Sequence, residues 1–306
     1  MSFTRFLLAA LIALLAASHG KADDMPPAGN FLEIDGAQIR YVEEGEGPAV
    51  LLLHGASSNA EDMRLALGGH LQGYRAIYVD RPGLGWSERP GGAWTPEREA
   101  ALLASLVNQL NLDDPVVVGH SWGGAISMRL AIDHGEALSG VVLVGAPLYA
   151  GVGEAAWYNR ASRWFGIGPL ITRVIIPLVG PSRIEAGLEE TFHPAPVPEG
   201  YGEAVSVTRV FRTDIFKANA SDMAQVNDHL AAQDDLYAGV SLPVIMLGGE
   251  SDRVVFTNRH AVPAAEVMPN AQTVIREDWG HMLHHQSPEA VRAAVDELHG
   301  AGENSR

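Results

Sequence analysis

Short apolar runs at 50–53, 76–79, 116–118, 141–144, 244–247 and 272–275 recur along the chain, with helix-like stretches between them. Runs of that length suit buried parallel strands, which are covered on both faces and so need not alternate. The intervening stretches carry helix signals. Ser58 with Glu61 has the form of a capping box, and Thr95-Pro96-Glu97 places an N-cap before a first-turn proline. Leu103, Leu106, Val107 and Leu110 then share one face. Ser287-Pro288-Glu289 opens a last helix, in which Val291, Ala294, Val295 and Leu298 repeat that spacing before Gly300. A hairpin of 31–34 and 39–43, joined by Asp35-Gly36, precedes them all. Alternation of this kind predicts an α/β fold, a mostly parallel doubly wound sheet with helices on both faces.

The alternation breaks once. Residues 147–240 hold no strong strand, only helical stretches, prolines and scattered aromatics, and the segment is too long for a loop. It is expected to form a helical cap inserted in a core made of 31–146 and 241–300. Trp157, Tyr158, Trp164, Phe165, Leu170, Ile171, Val174, Ile175 and Ile176 make it apolar. Such residues suit an acyl pocket or a lid that meets lipid, and equally the small core of the cap itself.

Ahead of the fold, Arg5 precedes an unbroken apolar run at 6–17, followed by Gly20 and Ala22 as small residues around a cleavage position. Residues 1–22 therefore read as a signal peptide, with cleavage after Ser18 as an alternative, and 23–30 as a linker. The run is shorter than the roughly 20 apolar residues of a membrane-spanning helix. Export to a periplasm or beyond is expected, the alternative being an anchor formed by the uncleaved segment. The formal net charge is −16, which argues against nucleic acid or anionic lipid as a main partner. With no cysteine in the chain, disulfides, thiol nucleophiles and cysteine-ligated metals are excluded.

The chemistry gathers at the ends of the apolar runs. Gly119-His120-Ser121-Trp122-Gly123 follows the run at 116–118 and opens a helix expected from Trp122 to about His134, ending at Gly135. A turn this sharp strains the backbone at the serine, needs small neighbours and projects the hydroxyl outward at a helix N-terminus. A serine hydroxyl needs a base, and the base needs an orienting group. Asp252 follows the run at 244–247, with Glu250 and Asp278 as competitors, and His281 follows the last run. His284 and His285 compete with His281 and are expected to be polar surface. Backbone N–H groups after His54-Gly55 are expected to face a developing oxyanion. Ala56 is the chosen donor there, Ser57 the alternative, and the N–H of Trp122 joins it. The loop Asp80-Arg81-Pro82-Gly83-Leu84-Gly85-Trp86-Ser87 lacks the P-loop lysine and the dinucleotide G-x-G-x-x-G. It reads as a tight turn in a pocket wall.

With these residues in place the chain resembles the α/β-hydrolase fold family, of the serine-nucleophile type, from about residue 30 to 298. The resemblance rests on His54-Gly55, the loop from Asp80 to Ser87, Gly119-His120-Ser121-Trp122-Gly123-Gly124, Asp252 and Gly280-His281. It implies a triad of Ser121, Asp252 and His281 with Ala56 and Trp122 as oxyanion donors, acting on an ester or other acyl substrate, for which the apolar, medium-sized cap suggests a small, apolar one. Neither metal nor organic cofactor is implied. Epoxide hydrolases and haloalkane dehalogenases often have aspartate where this chain has Ser121, which argues against both. Esterases, lipases, lactonases, carbon–carbon bond hydrolases and proline iminopeptidases keep the serine. A peptidase of the last type would use acidic cap residues such as Glu185, Glu189 and Glu190, for which a solvated helix face is the plainer reading. A binding protein that retains the fold without turnover is the non-enzyme alternative.

Overall fold

Asp35 and Gly36 both take positive φ, 52° and 75°, the two-residue turn whose twist matches that of paired strands. It joins β1 (Asn30–Ile34) to β2 (Ala37–Glu44), as an antiparallel pair. The computed structural model describes residues 26–152, 159, 161, 168 and 171–303. The segment read as a signal peptide, 1–22, lies outside the described residues, as do Trp157, Tyr158, Trp164, Phe165 and Leu170.

The remaining strands are β3 (Ala49–Leu53), β4 (Arg75–Val79), β5 (Val116–His120), β6 (Gly140–Val144), β7 (Val244–Gly249) and β8 (Ala271–Arg276). The eight lie in the order β1-β2-β4-β3-β5-β6-β7-β8. β2 pairs antiparallel with β4, and every pairing from β4 to β8 is parallel. All six short apolar runs are strands, so the fold class read from their spacing stands. β1 and β8 are the edge strands, and no residue of β8 is fully buried.

Helices cover both faces: α1 (Ala60–Leu67), α2 (Pro96–Gln109) and α3 (Trp122–His134), then α4 (Ile184–Phe192) and α5 (Thr213–Ala224) between β6 and β7. Three more follow β7: α6 (Thr257–Val267), α7 (Leu283–Gln286) and α8 (Pro288–Glu303). Along β3, Leu51 and Leu53 face one apolar layer with Leu103, Ile126 and Met246. Val50 and Leu52 face the other, with Met63, Val291 and Val295. This period-two division is what two covered faces require. Between β6 and β7 the described residues contain helices and turns and no strand. Among the described residues no helix is long and apolar enough to cross a membrane.

Two helix boundaries differ from expectation. The N-cap of α1 is Asn59, whose side chain accepts from Glu61 N at 3.0 Å. Ser58 is not the cap, because the Glu61 carboxylate is drawn to Arg40 rather than back to a capping serine. α8 runs through Gly300 to Glu303, since a single glycine weakens a helix without ending it.

Arg40 explains why the residues around it are ordered. Its side chain is fully buried, ion-paired to Glu61 and to Asp80, and donates to the carbonyls of Ala28 (3.0 Å) and Pro27 (3.4 Å). The stretch read as a linker is thereby tied to the sheet. Asp80 also accepts the backbone N–H groups of Ala60 (2.8 Å) and Trp86 (2.9 Å), fixing the start of α1 and the curve of the glycine-rich loop. Next to it, Arg81 donates to Glu99 at 2.7 and 3.2 Å, and Trp94 Nε1 donates to the same carboxylate at 3.1 Å. Breaking a buried pair leaves a desolvated charge. Arg81→Met is therefore expected to lower the unfolding free energy by about 3–5 kcal/mol, and the Arg81→Met, Glu99→Met double variant to recover most of that. Urea denaturation reads both, and a double variant no more stable than the single contradicts the assignment.

Candidate active site

Ser121 sits between β5 and α3 with φ 50° and ψ −125°, a conformation that costs a non-glycine residue about 1–3 kcal/mol. The surroundings hold it there. Its N–H donates to the Val144 carbonyl at 2.9 Å, and its carbonyl accepts from Gly124 N at 2.8 Å. The flanking glycines are required by contact: a Cβ on Gly119 would overlap Ser127 Oγ, and one on Gly123 would overlap the His54 carbonyl. The turn therefore packs β5, α3 and the end of β3 more closely than side chains allow.

Asp252 and His281 arrive from β7 and β8. Asp252 is buried, and its Oδ1 accepts the N–H groups of Val254 and Val255, both at 2.8 Å. Oδ2 lies 2.9 Å from His281 Nδ1. Because a carboxylate accepts, the proton of a neutral imidazole is assigned to Nδ1, which leaves Nε2 as an acceptor. Glu250 and Asp278, the competing acids, are exposed. Gly145, with φ 54°, backs the pair: a Cβ there would lie 3.3 Å from His281 Nδ1 and 3.4 Å from Asp252 Oδ2.

Ser121 and His281 line one cavity of about 820 Å³, together with Ala56, Ser57 and a wall that includes Ile171, Ile175, Ile184, Leu188, Phe211 and Phe216. Of the apolar residues singled out between 147 and 240, Ile171, Ile175 and Ile176 reach this cavity, while Val174 is exposed. Glu185, Glu189 and Glu190 lie on the solvent side of α4. Gly85 brings the glycine-rich loop into the wall.

The loop after β3 separates the two proposed backbone donors. Ser57 N–H donates to Asn219 Oδ1 at 2.7 Å, and Asn219 Nδ2 donates to Ser57 Oγ at 2.9 Å. Asn219 lies on α5 and was not foreseen, since nothing local marks it. Its contact occupies the Ser57 N–H. Trp122 opens α3, where the first N–H groups of a helix have no intrahelical partner. His54 is fully buried, donating from Nδ1 to the Gly55 carbonyl and accepting Arg81 N–H at Nε2. Burial, with Arg81 beside it, pushes its pKa down to about 3.

His284 and His285, expected to be polar surface, belong instead to a buried cluster. His284 is completely buried; its Nε2 lies 3.3 Å from Asp62 Oδ2, and His285 Nε2 lies 2.8 Å from Asp62 Oδ1. The Tyr201 hydroxyl donates to Asp62 Oδ1 at 2.8 Å. The reason is tertiary: α7 packs against α1, which brings Asp62 under the histidines. Burial alone raises the Asp62 pKa, but His284 and His285 outweigh it and hold the carboxyl well below the usual range. The ligand atoms of Asp62, His284 and His285 lie within 4.8 Å of one another. A cation at the His284 Nε2 would, however, leave a buried Nδ1–H with no acceptor among the described residues, whereas bound metals want that proton satisfied. The donor set fits a hydrogen-bond hub better.

The family model of the alpha/beta hydrolase family matches residues 50–294, and the chain belongs to that family. Haloalkane dehalogenase 2 of Mycobacterium tuberculosis is 36% identical over 107 residues, 35% of this chain and 37% of that protein. A 2-hydroxy-6-oxo-6-(2'-aminophenyl)hexa-2,4-dienoic acid hydrolase of Metapseudomonas resinovorans is 32% identical over 120 residues, 38% of this chain and 41% of that protein. The chain thus spans well under half the length of these two relatives. An esterase from Exiguobacterium antarcticum has the same fold, with a TM-score of 0.69 at 22% identity over 89% of this chain and 99% of that one.

His54, His120 and His284 are all buried with pKa values below the ordinary histidine range. They are neutral in the fold and take up protons on unfolding below about pH 6.5. Between that pH and their folded pKa the unfolded state binds more protons, so stability falls as pH falls. The slope is at most about 1.4 kcal/mol per pH unit per histidine. Urea unfolding at about pH 7.5, 6.5 and 5.5 is expected to show stability dropping below pH 6.5; equal stability at all three contradicts it.

Proposed function

We propose that the protein is a serine hydrolase that cleaves a carboxylic ester with an apolar acyl group. The observation that carries this reading is the strained Ser121 and the buried His281–Asp252 pair meeting at one apolar cavity of about 820 Å³. In the proposed reaction His281 Nε2 takes the Ser121 Oγ proton as Oγ attacks the ester carbonyl. Asp252 stabilises the resulting imidazolium. The N–H groups of Ala56 and Trp122 hold the negative oxygen. His281 then returns the proton to the departing alkoxide, and the alcohol leaves. Water, deprotonated by the same histidine, attacks the acyl-enzyme and frees the acid. Residues 147–240 act in this reading as the cap that supplies the apolar wall.

The similarity to a dehalogenase does not carry halide displacement to this chain. That reaction at a saturated carbon needs a nucleophile whose alkyl product water can hydrolyse. A carboxylate gives such an ester, while Ser121 would be left as a stable ether. Cleavage of a carbon–carbon bond beside a ketone is the second reading, favoured by the dienoic acid hydrolase among the relatives. Export is also part of the proposal and rests on residues 1–22.

Turnover of p-nitrophenyl esters of graded chain length tests the main reading. Ser121→Ala is expected to lose all measurable turnover, and Asp252→Asn about 10³–10⁴-fold in kcat, with an optimum at an apolar acyl chain. Turnover that survives Ser121→Ala sinks the proposal; a folded parent inert on esters but active on a vinylogous diketone replaces it with the second reading. For export, the intact mass of the protein recovered outside the cytoplasm is expected to lack residues 1–22, and a full-length mass rejects cleavage.

A further inference from the structure

We propose that His120, the residue before Ser121 in Gly119-His120-Ser121-Trp122-Gly123, is a positioning residue for His281, and that Asp62 holds the same turn through His284 and His285. The proposal rests on reading Ser121, His281 and Asp252 as the reacting groups. His120 ends β5 directly before Ser121, and its Nε2 lies 3.1 Å from the His281 carbonyl oxygen. A carbonyl only accepts, so Nε2 carries the proton and donates. The His120 ring sits 4.9 Å from that of His281 and 4.2 Å from that of His284. Its Nδ1 has no partner among the described residues. The ring therefore makes one directed hydrogen bond, to the backbone of the residue whose side chain must meet Ser121. Burial, with His284 and His281 alongside, keeps it uncharged.

The turn that carries His281 is held at further points. Gly280 N–H donates to Gln286 Oε1 at 2.8 Å. His281 Nδ1 is tied to Asp252, and His284 and His285, one turn later, are tied to Asp62. Asp62 is anchored to Tyr201, which belongs to the helical segment between β6 and β7. Without the His120 bond, the His281 carbonyl would lose this donor and the turn would be free to shift. Displacement of a base by about 1 Å costs on the order of 100-fold in rate without loss of binding.

The test compares His120→Leu with His120→Gln. Neither has a ring and their sizes are similar, but Gln Nε2 stands as many bonds from Cα as His Nε2 and restores the donor. Three quantities are measured: kcat and KM on the best ester, the rate at which a fluorophosphonate modifies Ser121, and the melting temperature. His120→Leu is expected to lose 10- to 100-fold in kcat and in phosphonylation rate, with KM within about twofold. His120→Gln is expected to recover most of both. Parent-like rates in His120→Leu overturn the proposal, as do equal losses in the two variants at a parent-like melting temperature, or a change confined to KM. If neither variant folds, Tyr201→Phe decides: a severalfold fall in kcat at unchanged KM is expected, and an unchanged kcat overturns it. A parent that the phosphonate does not modify rejects Ser121 as nucleophile and this proposal with it, whereas a reactive parent with a reactive His120→Leu rejects this proposal alone.

Discussion

The carboxyl edge of the sheet depends on the turn between β5 and α3, where Ser121 is held at φ 50°. A backbone so placed relaxes unless its neighbours prevent it, and here they do, by close contact and by hydrogen bonds to Val144 and Gly124. The same closeness sets the positions of the other groups. β3 ends against Gly123, which puts Gly55 and Ala56 beside Ser121. Gly145, directly after β6, leaves room for His281 and Asp252 to pair. The local strain is thus repaid by contacts drawn from several strands, which is how strained residues persist in a marginally stable fold.

Charge is handled differently on the two sides of this edge. Near β2 and β4, Arg40 and Arg81 are buried with full carboxylate partners, and these pairs fix the start of α1 and the glycine-rich loop. Such pairs give little net stability, but losing one partner is costly. Behind His281 the buried groups are histidines and one carboxylate, Asp62, satisfied by three donors. Burial pushes the His120 and His284 pKa values down, and an uncharged imidazole offers a directed donor without a second charge to desolvate, which suits a region that must place a base accurately.

The cavity joins these parts to the segment between β6 and β7. Its walls there are largely aliphatic and aromatic, while the sheet side contributes the hydroxyl and the imidazole. An occupant would therefore meet apolar surface along most of its length and polar chemistry at one end, the usual division of labour in a small-molecule site. Asn219 of α5 and Tyr201 reach across to Ser57 and Asp62, so the segment is bonded to the loop after β3 and to α1.

By itself the sequence determined the sheet, because buried parallel strands require continuous apolar runs and their spacing leaves room only for crossover helices. It also marked the elbow at Ser121, because a turn that tight needs glycine at 119 and 123. Asp252 and His281 were legible as residues at strand ends, and tertiary structure paired them while leaving Glu250 and Asp278 in solvent. What only the tertiary structure decided involves partners far apart in the chain. Asn59 rather than Ser58 caps α1 in a fold where Arg40 takes the Glu61 carboxylate. His284 and His285 are buried because α7 lands on α1 above Asp62. Asn219 engages Ser57 across 162 positions of sequence. Local pattern carries propensity and strain, which act within a few residues, whereas the partner of a buried polar atom is set by which surfaces packing brings together.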